Sequence, residues 1–95
     1  MSTQEAAAIL AEQISVYRKK PYKELSDRVG LPPFTGVTKN EDESAYYWDI
    51  EVFWDDGRES NVRVVANISD GNGLSAYFPM TDDFIMTPDG DFIGE

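Results

Sequence analysis

The chain has 95 residues, a formal net charge of −10, and neither cysteine nor histidine. This length suits one α+β domain spanning residues 1–95 with a single core, and an aromatic share of 13% favours a folded chain over a disordered acidic tail. The absence of Cys excludes disulfides, thiolate chemistry and Cys-based zinc sites, and the absence of His removes the usual general base near neutral pH.

The acidic charge is concentrated in the second part of the chain. Residues 1–33 carry five basic and four acidic side chains, whereas residues 34–95 carry three basic and fourteen acidic ones. We expect neither nucleic acid nor an anionic membrane as a partner, because both would be repelled. With no membrane-length apolar run and no basic signal-peptide region, the sequence predicts a cytoplasmic protein.

Two helices are predicted first. Helix one runs from about Thr3 to Arg18, with Ser2 and Glu5 as a capping box. Its buried face follows helical spacing, with Ile9 and Val16 widening a stripe made of Ala7, Leu10, Ala11, Ile14 and Tyr17. At its end, Arg18, Lys19 and Lys20 complement the helix dipole, and a phosphate-binding cluster is the alternative.

The second predicted helix is short. Pro21 stops the first helix and occupies the first position of the next one. One side of that helix carries Tyr22, Leu25 and Val29, and Gly30 forms its C-terminal cap.

An antiparallel sheet is predicted next. A short strand covers Phe34 to Thr38, and a polar loop leads to a strand over about Ala45 to Asp55. Apolar residues occupy every even position of that strand, which places them on one face: Tyr46, Trp48, Ile50, Val52 and Trp54. After a turn at Asp55–Arg58, a strand over about Ser60 to Ser69 repeats the pattern with Val62, Val64, Ala66 and Ile68.

A fourth strand from Leu74 to Phe78 and a small terminal hairpin complete the prediction. The hairpin joins Phe84–Met86 to Phe92–Ile93 through a turn containing Pro88 and Gly90. The sequence thus predicts an N-terminal helix and a short second helix packed on one face of an antiparallel meander of three to five strands.

Parity predicts the strand register, because even residues must lie opposite even residues. Pairing Val52 with Val62 places Ile50 beside Val64 and implies a turn of odd length, such as a three-residue loop with Gly at the left-handed position. Pairing Ile68 with Leu74 places Val64 beside Phe78. Val64 is therefore expected at the sheet centre, between Ile50 and Phe78.

The acid-rich turns carry no recognisable chemistry. The segments Asp70–Gly73 and Asp89–Asp91 resemble pieces of calcium loops, but the required ligand spacing fails for both, and turn formation explains them. The neighbouring pairs Asp55–Asp56 and Asp82–Asp83 also fit turns better than a catalytic carboxylate pair. We therefore expect no catalytic residue, metal site or cofactor, and a protein that is not an enzyme.

The odd-numbered face of the sheet is the candidate functional surface. Phe53, Val65 and Tyr77 form an apolar patch ringed by acids, with a cross-strand contact between Glu51 and Arg63. The full predicted surface comprises Asp49, Glu51, Phe53, Arg63, Val65, Asn67 and Tyr77. Exposed apolar patches with polar rims are typical of partner-binding sites. The alternative is that another segment covers these residues or that they are scattered over the surface.

Two segments resemble parts of other proteins. Residues 78–85 and 88–95 are similar to the ending of some small uncharacterised acidic bacterial proteins, and Glu51–Asp56 is similar to their middle. The resemblance covers about half of the chain. It implies a bacterial cytosolic protein of unassigned role, with no activity or cofactor.

Three functions remain open from the sequence. The first is an interaction module that presents its acidic sheet surface to a basic protein, for example as a toxin-neutralising immunity-type protein or an accessory protein. The second is a small-ligand or enzymatic site in a cleft between helices and sheet, lined by Tyr17, Tyr46 or Asp49. The third is a homodimer formed through the odd face or an edge strand.

Overall fold

The computed structural model describes residues 3–39, 45–57, 60–69 and 80–94. It contains helix α1 (Thr3–Arg18), helix α2 (Tyr22–Ser26), and five strands: β1 (Phe34–Lys39), β2 (Ala45–Trp54), β3 (Val62–Ser69), β4 (Met80–Met86) and β5 (Phe92–Ile93). The strands form one antiparallel sheet in the order β1-β2-β3-β4-β5. The predicted α+β fold, with two helices packed on an antiparallel meander, is confirmed.

Helix α1 has the predicted length but buries a different stripe. Ala7 and Ala11 are exposed, and so is Val16. The buried residues are Ala6, Ile9, Leu10, Ile14 and Tyr17. Ile9, predicted to widen the stripe, is buried, whereas Ala7 and Ala11 are not, and burying the larger side chain removes more apolar surface from water. The capping box at Ser2 lies outside the described residues.

Helix α2 begins one residue later than predicted and ends earlier. Pro21 is the extended residue before the helix and not its first helical residue, and Asp27, not Gly30, caps its end. Gly30 instead adopts a φ of 86° four residues beyond Ser26, after a run of turns. Leu25 is fully buried, with Tyr22 and Val29 packed beside the core as predicted.

The basic end of α1 is engaged within the protein. The Arg18 guanidinium lies 4.4 Å from the centre of the Phe92 ring and 5.6 Å from that of Phe84. The Lys20 ammonium lies 3.7 Å from a Glu24 carboxylate oxygen. These contacts favour the structural interpretation of the cluster over phosphate binding.

The register between β2 and β3 differs from the prediction by two residues. Val52 lies opposite Val64, not Val62, and Ile50 lies opposite Ala66. The predicted parity is right, but the loop is longer. The Asp55 amide donates to the Asn61 carbonyl oxygen at 2.8 Å, which leaves residues 56–60 as the loop in place of the predicted three-residue turn.

The neighbour of β3 is also different. Ile68 lies opposite Met80, and Val64 opposite Phe84, so the predicted pairings of Ile68 with Leu74 and Val64 with Phe78 are wrong. The segment Leu74–Phe78 itself lies outside the described residues. The predicted terminal hairpin exists, with Met86 opposite Phe92, but its first strand extends back to Met80 and is part of the main sheet.

One apolar core lies between the helices and the even face of the sheet. It is made of the α1 stripe, Leu25, and even-numbered strand residues: Tyr46, Ile50, Val52, Val62, Val64, Ala66, Ile68, Phe84 and Met86. Trp48 and Trp54, predicted as core residues, are half-buried and pack against its edge. Among the described residues no polar or charged side chain is fully buried.

Candidate functional site

The outer face of the sheet, meaning the odd-numbered residues of strands β1 to β5, is turned away from the helices. Helix α1 contacts β3 and β4, and α2 contacts β2 and β3, all through the even-numbered core. Side chains alternate between the two sides of a strand, so the odd set lies opposite. In the described part of the chain, neither helix covers this outer face.

Six of the seven predicted surface residues lie together on the outer face. Asp49, Glu51 and Phe53 follow one another along β2, directly opposite three residues of β3. Those three are Asn67, Val65 and Arg63, in that order. The seventh, Tyr77, lies outside the described residues.

A polar row crosses the middle of this face. The Asn67 side-chain amide donates to Asp49 Oδ1 at 3.0 Å, and the Thr81 hydroxyl donates to Asn67 Oδ1 at 2.8 Å. On the other side of Asp49, β1 places Thr35 in the same row. The row links β2, β3 and β4 through side chains and holds the Asp49 carboxylate in a fixed position.

Arg63 contacts different acids from the one predicted. Its Nε lies 3.7 Å from Asp55 Oδ1 and 3.6 Å from Asp83 Oδ2. The two-residue change of register explains this, because Arg63 now lies opposite Phe53 and Glu51 opposite Val65. These contacts are half-exposed and contribute little to stability. Their effect is to neutralise one cation within an acidic surface.

Exposed apolar side chains lie at both ends of the outer face. Val37 and Tyr47 are opposite each other in β1 and β2 and are 54% and 50% exposed. Ser69 and Asp49 join them around an open cavity of about 440 Å³. At the other end, Phe53 and Ile93 are each 44% exposed, in a row that runs through Arg63 and Ile85.

The sequence prediction missed the Val37 and Tyr47 end of the face. Tyr47 shares the odd parity of the predicted residues, which is a signal that could have included it. Val37 becomes its neighbour only through the pairing of β1 with β2, and the sequence alone did not give that register. Phe53 and Val65 lie diagonally across β2 and β3, since Phe53 is opposite Arg63 and Val65 is opposite Glu51, and Val65 is half-buried.

The predicted cleft between helices and sheet is not formed by its three proposed lining residues. Tyr46 is buried, and its hydroxyl donates to Glu5 Oε2 on α1 at 2.7 Å. Asp49 lies on the outer face, away from the helices. Tyr17 is buried in the helix layer. The three side chains therefore do not share one site.

No protein-family model, curated protein or solved structure matches the chain. The resemblance to small acidic bacterial proteins therefore stays a prediction. Within the described ranges, acidic side chains form no group of three or more arranged to hold a metal ion. Neither of the two helices combines the length and apolar character that a membrane-spanning helix requires.

Proposed function

We propose that this protein is a non-enzymatic interaction module whose outer sheet face binds a basic partner protein. The observation that supports this most is the combination of half-exposed apolar side chains with carboxylates on one face of the sheet that neither helix covers. Aromatic and aliphatic side chains surrounded by polar groups are typical of protein-binding surfaces.

The acidic charge of the sheet region favours a partner with a basic surface. In the described part of residues 34–95 there are two basic and eight acidic side chains. Arg63 is already engaged by two of the acids, and Glu51 has no hydrogen bond or ion pair with any other described residue. A partner with a basic surface would be steered toward this face and aligned on it by the fixed carboxylates.

A toxin-neutralising immunity-type protein is one concrete form of this proposal. Its support is the small size of the chain and its net charge of −10, which suit the neutralisation of a basic enzyme by covering its surface. An accessory subunit for a basic enzyme is the other form. Both keep the cytoplasmic location that the sequence predicts.

The test begins with capture from a lysate of the source cells at low ionic strength, with the wild-type protein as bait. Any captured protein is then purified, and its direct binding is measured by calorimetry. We expect a basic partner whose affinity falls at least about tenfold between low and physiological ionic strength, because screening weakens contacts between exposed charges.

Two variants with the same change in charge locate the binding surface. Glu51→Lys reverses a charge on the outer face, and Asp89→Lys does so in the exposed turn between β4 and β5. We expect Glu51→Lys to weaken binding by roughly tenfold or more and Asp89→Lys by much less. Equal effects of the two variants, or affinity independent of salt, would contradict the proposal.

A homodimer is the second candidate, favoured by the position of β1 at the edge of the described sheet. This strand is the first of the sheet and pairs only with β2 among the described strands, and it exposes Phe34 and Val37. Edge strands with unpaired backbone groups readily pair with another chain. Sedimentation over a range of concentrations tests this, and a mass that stays monomeric would remove the candidate.

A further inference from the structure

A cavity of about 320 Å³ lies where the end of α1, the end of α2 and the start of β1 meet. It is separate from the outer sheet face, and none of its lining residues belongs to the proposed interaction surface. Its walls include Val16, Tyr17, Lys20, Glu24, Arg28 and Phe34. Its volume falls within the range of about 300–1,000 Å³ that is typical of small-molecule sites.

Two apolar side chains on the walls of this cavity are unusually exposed. Val16 and Phe34 each keep 48% of their surface accessible, although both are large and apolar. The ring of Tyr17 forms a third apolar wall and is itself buried in the protein. A bound molecule with a flat apolar body would remove the first two from water and gain free energy in proportion to that area.

Two side chains that line the cavity carry hydrogen-bond donors without an acceptor among the described residues. The Arg28 guanidinium lies 5.6 Å from the centre of the Phe34 ring and has no carboxylate or other acceptor among the described residues. The Tyr17 hydroxyl likewise makes no hydrogen bond within the described part of the chain. Tyr17 and Arg28 line the same cavity; burial raises the pKa of Tyr17, and the positive charge of Arg28 opposes that rise.

Two further charged side chains line the cavity, Lys20 and Glu24, but they form an ion pair with each other. Lys20 and Glu24 lie 3.7 Å apart across one turn, and both are partly exposed. Their charges compensate each other. The net charge presented to a ligand is therefore that of Arg28.

We propose that this cavity binds a small organic anion of the aromatic carboxylate class. Its ring would lie between Val16 and Phe34, and its carboxylate would accept hydrogen bonds from the Arg28 guanidinium. A planar guanidinium matches a carboxylate in a two-point contact, which gives both affinity and orientation. The Tyr17 hydroxyl supplies a further donor to the same carboxylate.

The location of the cavity agrees with an anionic ligand. The cavity is built mainly from residues 13–28, in the segment of the chain where basic and acidic side chains are nearly balanced. Residues 34–95, with fourteen acids and three basic residues, would repel an anion. Arg28 therefore offers a site for a negative ligand on an otherwise acidic protein.

The test is a titration of the isotope-labelled full chain with benzoate, followed by NMR at about 0.15 M ionic strength. We expect saturable shifts at Val16, Tyr17, Arg28 and Phe34. Benzamide has the same ring without the charge and should bind about tenfold more weakly, because the charge-assisted contact is lost. The proposal is overturned if benzoate produces no saturable shifts at these residues, or if benzamide binds as tightly.

Three variants assign the roles of the side chains. Arg28→Met keeps an apolar stem against Phe34 and should weaken benzoate binding about tenfold or more. Lys23→Met removes the same charge from an exposed position on α2 outside the cavity, and should change affinity no more than about twofold at this ionic strength. Tyr17→Phe removes only a hydroxyl and should weaken binding about threefold to tenfold, a readout that does not depend on Arg28→Met folding. Unchanged affinity in Tyr17→Phe and Arg28→Met would refute the assignment.

Discussion

The indole of Trp48 fills the space in which any residue other than glycine at position 36 would place its Cβ. Gly36 lies directly opposite Trp48 in the register of β1 and β2. The indole is held there by a hydrogen bond from its Nε1 to the Thr38 hydroxyl at 3.2 Å and by the Phe34 ring at 6.0 Å. Glycine within a strand here allows the close approach of an aromatic ring.

Gly36→Ala is therefore expected to destabilise the protein by about 1–3 kcal/mol, because the new methyl group overlaps the indole. The direction of this change in the free energy of unfolding is informative, since Gly→Ala at an unstrained position usually stabilises a protein by about 0.4–1 kcal/mol. Urea unfolding provides the measurement. The matched control is the same change in a Trp48→Ala background, where the cost should largely disappear. An equal cost in both backgrounds would show that the indole is not its cause.

Because Tyr17 is buried, we predict that the protein loses stability at high pH. Burial raises its pKa above the ordinary value of 10.0, Arg28 opposes that rise, and Glu24 adds to it. Above pH 10 the unfolded chain loses the Tyr17 proton while the folded protein retains it. The unfolded state then binds fewer protons, so the free energy of unfolding falls as the pH rises through 10 toward the folded-state value.

Below pH 10, Tyr17 makes its full contribution to the free energy of unfolding. Urea unfolding from pH 8 to 11 should show a decline that is smaller in Tyr17→Phe than in the wild type. Tyr47→Phe, at a half-exposed position, is the control and should retain the wild-type decline. If Tyr17→Phe and wild type follow the same profile, burial does not govern the ionisation of Tyr17.

The strands show which part of a sheet can be predicted from sequence. Alternation of apolar and polar residues correctly identified β2, β3 and their inner and outer faces, because side-chain direction depends only on the local period of two. The register was wrong by two residues because it depends on the loop. Ser60 stabilises the longer loop through a hydrogen bond to the Gly57 carbonyl at 2.5 Å and one from the Asp56 amide at 3.3 Å, and nothing in the alternating pattern reveals those contacts.

Strand β4 was harder to predict for a different reason. Two segments, Leu74–Phe78 and Phe84–Met86, offer even-numbered apolar residues to β3, and parity cannot choose between them. Asp82 and Asp83 were interpreted as a turn, yet both lie within β4, opposite Ala66 and Val65. Pairing with β3, which is distant in sequence, determines that residues 80–86 form β4, since the preference of a segment for a strand depends strongly on the surrounding sheet.

The same distinction applies to the candidate site. Whether a strand residue lies on the outer face depends on whether its position is odd or even, which the sequence shows directly. The six described residues of the predicted surface all lie on that face. Contacts between neighbours follow from register, and for that reason the predicted contact of Glu51 with Arg63 was replaced by contacts with Asp55 and Asp83. The cavity beside Arg28 depends on how two helices meet β1, which the sequence alone did not specify.

The β4–β5 hairpin can be tested through two adjacent residues. Phe92 packs edge-on against Phe84 with ring centres 5.6 Å apart, and Arg18 lies over it at 4.4 Å. Ile93 points to the opposite side and is 44% exposed. Phe92→Ala should therefore cost about 2 kcal/mol, less than the value for a fully buried ring, whereas Ile93→Ala should cost less than about 1 kcal/mol. Chemical denaturation of both variants measures the difference, and similar costs would mean that Phe92 does not fasten this hairpin to α1.

Over the whole molecule, the net charge of −10 opposes the folded state. Most acidic side chains belong to residues 34–95, and folding concentrates them around one sheet, whereas unfolding spreads them along an extended chain. Self-repulsion of like charges destabilises a compact state. Ion pairs relieve little of it, because those of Lys20, Lys23 and Arg63 are partly or largely exposed.

The melting temperature should therefore rise with salt, by roughly 5 °C between about 0.01 M and 0.3 M sodium chloride. Over this range the screening length falls from about 30 Å, enough to couple charges across the whole sheet, to less than about 10 Å. Circular dichroism provides the measurement. Asp89→Lys reduces the net charge by two without altering the core, and should melt higher than the wild type at low salt and respond less to added salt. A melting temperature that falls with salt would mean that attractive ion pairs outweigh the repulsion. The acidic surface would then be balanced within the protein, and the physical reason for expecting a basic partner would be lost.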